Sequence, residues 1–342
     1  MSKKKRHPRS RVLSTVALCF LLACMLLAGG CEKNQEKARH YTIGIVNLNP
    51  QLDQLVNSFK QSMTQRGYIA GKNITYLYHG ALQNENEVDQ ELQPMISSGV
   101  DLLFTLTTPV TLKSKQTAAA AKIPVLFGPA FSPVDSGIVD SLSHPGANVT
   151  GIQMRGSTAQ ALEWFLAAVP ATRRIFVPLH SSSATAVQNL AELRQAADHF
   201  HVELVIKNVN NEQELVETMA AIPDDVEAVW ITHSYFIVAR ASLIIEAAMA
   251  RNLPVGSSVP LRNKGVLLSY SVDHAKIGEQ AARMADKLLQ GVPAADIPVE
   301  TTEYFLSINL KTARSLGISI PADLLNQADF IIRQQQGRTD LP

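Results

Sequence analysis

From Tyr41 onward the chain alternates short runs rich in β-branched and apolar residues with amphipathic segments of helical length. Strand candidates are 41–46, 74–78, 101–106 and 123–127, then 174–178, 202–206, 228–231 and 253–255, with late runs at 265–270 and 304–308. Helical patterns lie between them, near 52–66, 85–98, 110–121, 158–168, 184–199, 212–221, 236–250 and 274–290. Parallel strands need long crossovers, and helices in those crossovers cover the sheet. The near-continuous apolar strands, such as Asp101-Leu-Leu-Phe-Thr-Leu106, suit sheets buried on both faces. The expected fold class is therefore α/β with doubly wound parallel sheets. The two strand sets predict two similar lobes, one beginning at Tyr41 and one near Arg174. The turn-rich stretch Ser143-His-Pro-Gly-Ala-Asn-Val-Thr-Gly151 is a natural first crossover between them.

The first thirty-one residues set the compartment. Lys3, Lys4, Lys5, Arg6, Arg9 and Arg11 precede an apolar run from Val12 to Leu27, which ends in Ala28-Gly29-Gly30-Cys31. This is the charged, apolar and small-residue order of an export signal. The run is shorter than the roughly 20 residues needed to span a bilayer. A cysteine directly after the small residues reads as a lipobox, which makes Cys31 the lipidated first residue of the mature chain. Cys24 is the rival, but cleavage there would leave Met25-Leu26-Leu27 on the mature protein. The expected organisation is a signal over 1–30 and a polar tether over 31–40. A short tail covers 337–342.

Cys19, Cys24 and Cys31 are the only cysteines, so the remainder of the chain holds no disulfide, thiol nucleophile or cysteine metal site. The export segment carries six of the 31 Lys and Arg and none of the 30 acids. The mature chain is thus mildly acidic, which gives no footprint for nucleic acid. No G-x-S-x-G turn, G-x-G-x-x-G turn or HExxH pair occurs, and Gly67-Tyr-Ile-Ala-Gly71-Lys72 is one residue short of a P-loop. No cofactor and no metal are expected, and no catalytic residue is assigned.

Several segments in order resemble a known family. They include Gly67-Tyr-Ile-Ala-Gly-Lys-Asn-Ile74, Asp101 to Pro109, Ile123 to Phe127, Ser132-Pro-Val134 and His144 to Gly151. Near the end stand Val272-Asp273, Ile277-Gly278, Leu289 to Glu300 and Ile308 to Pro321. Together these resemble the ABC-transporter substrate-binding proteins whose members include binders of tryptophan and other aromatic amino acids. The resemblance implies a type I periplasmic-binding-protein fold, two lobes joined by three crossovers. By that likeness lobe one is 41–153 plus 267–300, and lobe two is 154–266 plus 301–336. It also implies a small-molecule ligand, an ABC permease in the cytoplasmic membrane as partner, and a monomer held to a bacterial membrane by its lipid.

Ligands of such sheets sit at the carboxyl ends of the strands. There the chain offers Asn47 after the first strand, and Thr107-Thr108-Pro109 at the start of a helix. The threonines either cap that helix or present hydroxyl and N–H groups to an anion. Ser181 and Ser182, after His180, offer the same choice in the second lobe. Phe131 and Tyr270 could stack on a flat ligand or belong to the core. His233 could contact a ligand or be a hydrogen-bonded loop histidine. Ser132 stands where family members often carry Asp, and Ser257 where many have an acid or amide; an ammonium buried without a carboxylate partner is costly. The leading function is a solute-binding lipoprotein serving an ABC permease. The alternatives are a ligand sensor for a membrane receptor and an exported α/β enzyme.

Overall fold

The computed structural model describes residues 39–333. The export segment, Cys24, Cys31, most of the tether and the 337–342 tail lie outside the described residues. No helix of the described residues is long and apolar enough to cross a membrane.

The chain runs β1 (Tyr41–Asn47), α1 (Asp53–Gln65), β2 (Ile74–Leu77), α2 (Glu87–Ser97), β3 (Leu102–Leu106), α3 (Thr108–Ala120), β4 (Val125–Phe131) and β5 (Val149–Met154). It continues through α4 (Thr158–Ala168), β6 (Arg174–Leu179), α5 (Ala184–His199), β7 (Glu203–Asn208), α6 (Glu212–Ala220) and β8 (Ala228–Ile231). Next come α7 (Tyr235–Ala239), α8 (Ala241–Ala250), β9 (Val255–Ser257), β10 (Leu268–Val272) and α9 (His274–Leu289). The last elements are β11 (Glu300–Thr301), β12 (Tyr304–Asn309), α10 (Leu310–Ser315), α11 (Ala322–Gln327) and β13 (Phe330–Ile332). The helical pattern at 236–250 resolves into two pieces, because Arg240 leaves helical geometry at φ −106°, ψ 17°.

Two sheets form, in the orders β11-β5-β4-β3-β1-β2 and β13-β12-β10-β9-β8-β6-β7. Every pairing is parallel except β10 with β12. Each sheet is covered on both faces. Leu55, Phe59 and Met63 of α1 and Ala281 and Ala285 of α9 bury one face of the first sheet. Val88, Leu92 and Met95 of α2 and Val110 of α3 bury the other. On the second sheet, Leu162 and Phe165 of α4 and Leu193 of α5 cover one face. Leu215 of α6 and Ile244 of α8 cover its reverse. These double-sided cores explain the apolar strands.

The chain passes between the sheets three times: after β5, after β10 and after β11. One boundary differs from the sequence expectation. β10 pairs with β9 and β12 in the second sheet, so the chain returns to the first sheet at α9, near Asp273, and not at residue 267. A buried strand looks the same in sequence whichever sheet takes it. Only the long-range pairing of Leu268 with Ile308 assigns it.

Candidate functional site

The carboxyl ends of β1, β3 and β4 and the loops after β6, β8 and β9 open onto one cleft of about 440 Å³. The first sheet contributes Asn49, Gln51, Thr107, Thr108 and Phe131, and the second contributes Ser183, Thr185, His233, Ser234 and Tyr235. Its lining includes no Asp, Glu, Lys or Arg. A net charge buried there would lack a counter-charge, which is costly. The cleft itself suits an uncharged group or the body of a zwitterion.

Thr107 is the most unusual residue in it. Its backbone sits at φ 86°, ψ 148°, and no side chain caps α3. Its carbonyl accepts from the N–H and the hydroxyl of Thr111, at 3.1 and 2.9 Å. Its own hydroxyl is buried with no partner. The start of α3 therefore offers an unpaired hydroxyl and helix-end N–H groups, which attract a carboxylate or carbonyl oxygen. Thr108 lies beside it at the first helical position.

Phe131 and His233 face each other from the two sheets, edge to face with ring centres 6.2 Å apart. The His233 backbone N–H donates to Asn189 Oδ1 at 3.1 Å, and its ring Nε2 lies 3.1 Å from the Ser258 carbonyl. That contact places the ring proton on Nε2 and leaves Nδ1 as an acceptor. Burial pushes its pKa down to about 4, against the smaller opposing effect of the Ser258 bond. His233 is therefore neutral at pH 7. His274, which also lines the cleft, has its pKa lowered by burial.

Thr107, Thr108, Phe131 and His233 are thus brought together, while the other sequence candidates lie outside this lining. Asn47 is fully buried and holds the β1 turn: its side chain bonds the backbone of Asn49 at both ends, 2.8 and 2.9 Å, leaving Asn49 to face the cleft. Ser132 is exposed at φ 42°, with its carbonyl accepting from the Ser136 N–H. The Ser181 hydroxyl donates to Asn210 Oδ1 at 3.1 Å, and that of Ser182 sits 3.0 Å from His180 Nε2. Their neighbour Ser183 caps α5 and reaches the cleft. Ser257 is fully buried, donating to the Ile231 carbonyl and accepting from the Val259 N–H. Tyr270 packs on Tyr304 with ring centres 5.7 Å apart, against the core of the second sheet.

Two mostly parallel sheets, crossed three times and opening on a shared cleft, have the architecture of type I periplasmic binding proteins. Solved structures agree. An ABC domain from Streptococcus pneumonia in complex with L-Trp has a TM-score of 0.71 at 23% identity, covering 86% of this chain and all of that one. A conserved domain protein from Vibrio cholerae scores 0.71 at 24% identity over the same shares. An ABC transporter solute binding protein from Bacillus halodurans with bound myo-inositol scores 0.59 at 14% identity, covering 83% of this chain and 99% of that one. Residues 43–332 match the family described as ABC transporter substrate binding protein, and the chain belongs to it. It is the solute-capturing component of an ABC transporter, with a small-molecule ligand and an ABC permease as partners, in a family that works outside the cytoplasm. A tyrosine-binding protein from Clostridioides difficile (strain R20291) is 26% identical over 327 residues, 92% of this chain and 93% of that protein.

Proposed function

We propose that the protein is a monomeric, lipid-anchored receptor that captures an aromatic amino acid between two closing lobes and delivers it to the permease without chemical change. The carrying observation is the cleft itself. It has no formal charge in its lining, an aromatic edge at Phe131, and an unpaired hydroxyl at the start of α3. A flat body fits beside the rings, and an anionic end fits Thr107. The tyrosine-binding relative and the L-Trp-bound structure support that ligand class. Isothermal titration of the purified protein with L-tryptophan and L-tyrosine tests it. Saturable binding with one site per chain is the expected result. Absence of heat with either ligand at about 1 mM, a free energy weaker than about −4 kcal/mol, removes the aromatic assignment.

The proposed anchor is Cys31, supported by its place directly after the small residues of the export signal. Feeding cells a clickable palmitate analogue should label the wild-type protein and leave Cys31→Ser unlabelled. Label that survives in Cys31→Ser and disappears in Cys24→Ser moves the anchor to Cys24.

A further inference from the structure

An uncharged cleft poses a problem for an amino-acid ligand: nothing in its lining balances an ammonium group. An adjoining pocket of about 480 Å³, which shares Gln51, Tyr235 and His274 with the cleft, carries one carboxylate, Asp273, and Arg262 already pairs with it at 2.8 Å. A carboxylate without such a partner lies elsewhere along the cleft. A side pocket of about 40 Å³ opens off the cleft and shares Phe131, Met154, Thr185 and His233 with it. A water-sized group needs about 10–15 Å³ of such space, so an ammonium has room. One carboxylate lines the pocket, that of Glu192 on α5. Arg155, the other charged residue of the lining, is exposed, so water screens it.

Glu192 is half-buried, and among the described residues no Lys, Arg or His pairs with it. Its Oε2 accepts from the Thr158 hydroxyl at 3.1 Å. That hydroxyl accepts from Asn189 Nδ2 at 2.7 Å, and Asn189 Oδ1 accepts from the His233 N–H at 3.1 Å. Thr158 and Asn189 are 2% and 6% exposed, so the carboxylate is set by a buried chain of bonds that begins at the cleft histidine. The crossover backbone passes close overhead: a Cβ on Gly156 would stand 3.0 Å from Glu192 Oε2. A second, independent feature points to an occupant. Ser258, 2% exposed and lining the same pocket, has a hydroxyl without a hydrogen-bond partner.

We propose that this side pocket is the ammonium subsite and that Glu192 is its counter-charge, assisted by the Ser258 hydroxyl. The proposal rests on the amino-acid reading above and deepens it. Specificity then comes from two different layers. The uncharged cleft admits the aromatic body, and the carboxylate behind it rejects ligands of the same shape that lack a cationic donor. Glu192 is half-buried in the empty pocket, and a ligand that covers it without supplying a donor bears the cost of desolvating that charge.

The test is a comparison of wild type with Glu192→Gln, using L-tryptophan and indole-3-propionate, which has a closely similar skeleton without the ammonium. The amide oxygen of the variant side chain keeps an acceptor for Thr158, and the melting temperatures of the two ligand-free proteins should agree. The substitution should weaken L-tryptophan about 10- to 100-fold, the range of a hydrogen bond to a charged group, and leave indole-3-propionate within about threefold. Equal binding of L-tryptophan by both proteins overturns the proposal while the aromatic assignment stands. Should wild type bind no aromatic amino acid at about 1 mM, a thermal-shift panel of the remaining protein amino acids is run on both proteins. Stabilisation seen in wild type and lost in the variant removes the aromatic assignment and keeps Glu192. Equal stabilisation of both, or none in wild type, overturns the ammonium subsite.

Discussion

Thr107 occupies backbone space in which only glycine is comfortable, at φ 86° and ψ 148°. A non-glycine residue in that region costs about 1–3 kcal/mol, and surrounding structure has to sustain it. Here the sustaining contacts are the two bonds from Thr111 to the Thr107 carbonyl, and both survive any change of side chain. The side chain's own hydrogen bonds do not sustain this geometry, because the buried hydroxyl has no hydrogen-bond partner in the protein. Thr107→Gly should raise stability by about 1 kcal/mol, the relief being partly offset by the entropy glycine adds to the unfolded chain. The same change should weaken L-tryptophan about 2- to 10-fold, the worth of one neutral hydrogen bond. Calorimetry and thermal melts read the two effects with opposite signs; a more stable variant with unchanged affinity would assign the hydroxyl no ligand. Thr107 was legible in the sequence because it follows an apolar run and precedes Pro109, the junction of a strand and a helix. Asn49 was not. Two asparagines share one turn, and the one turned inward is decided by bonds to Asp53 and to Tyr78, which is distant in sequence. Glu192 was hidden more deeply still, since on α5 it reads as part of a solvated helix face. It meets a pocket only because the 154–158 crossover passes over it.

The pairing of α1 with α9 shows what an element can and cannot announce. The 274–290 pattern gave a helix with an apolar stripe, and Asp273 supplies its cap, accepting from the N–H groups of Ala275 and Lys276. The pattern did not say that this helix crosses back to lie on α1. The contact is close enough to need glycine: a Cβ at Gly278 would stand 2.5 Å from the Leu55 carbonyl oxygen and 2.8 Å from the Phe59 nitrogen. Backbone atoms cannot step aside as a side-chain tip can. Ser58 adds a cross-link, donating to the Ala275 carbonyl at 2.8 Å. Gly278→Ala should therefore push the helices apart and destabilise the protein by about 1–3 kcal/mol, as overpacking does, with the loss read by urea denaturation. Gly278 itself is not in the cleft lining, but His274, one turn earlier on α9, is, so a shift of α9 that reaches the cleft should also weaken L-tryptophan. A variant as stable as wild type would mean that the helix pair slides apart at no cost.

At the scale of the molecule, the three passages of the chain between the sheets decide what capture can look like. The two sheets have separate double-sided cores; under the proposed capture mechanism they act as two lobes, and a ligand touching both biases them toward closure. The second crossover is tied to the second sheet. Asp273, 7% exposed, caps α9 and pairs with Arg262 at 2.8 Å, while the Arg262 guanidinium lies 3.9 Å over the Phe330 ring at the edge of the second sheet. The 155–157 and 302–303 passages run side by side, joined by the Thr302 N–H donating to the Gln153 carbonyl at 3.0 Å and by the Tyr304 hydroxyl donating to the Arg155 carbonyl, next to the side pocket that holds Glu192. The sequence makes closure measurable, because every native cysteine lies within the first thirty-one residues. Val134, after β4 of the first sheet, and Val187, in the first turn of α5 on the second sheet, are 42% and 49% exposed. Spin labels on Val134→Cys and Val187→Cys report their separation by pulsed dipolar spectroscopy. Adding L-tryptophan should replace a broad distance distribution with a shorter, narrower one. To move the population from about 1% closed to about 99% closed, the ligand must bind the closed form about 10⁴-fold more tightly. An unchanged distribution in a sample that calorimetry shows to be saturated would replace closure with a preformed cleft, and the permease would then have to recognise the ligand directly.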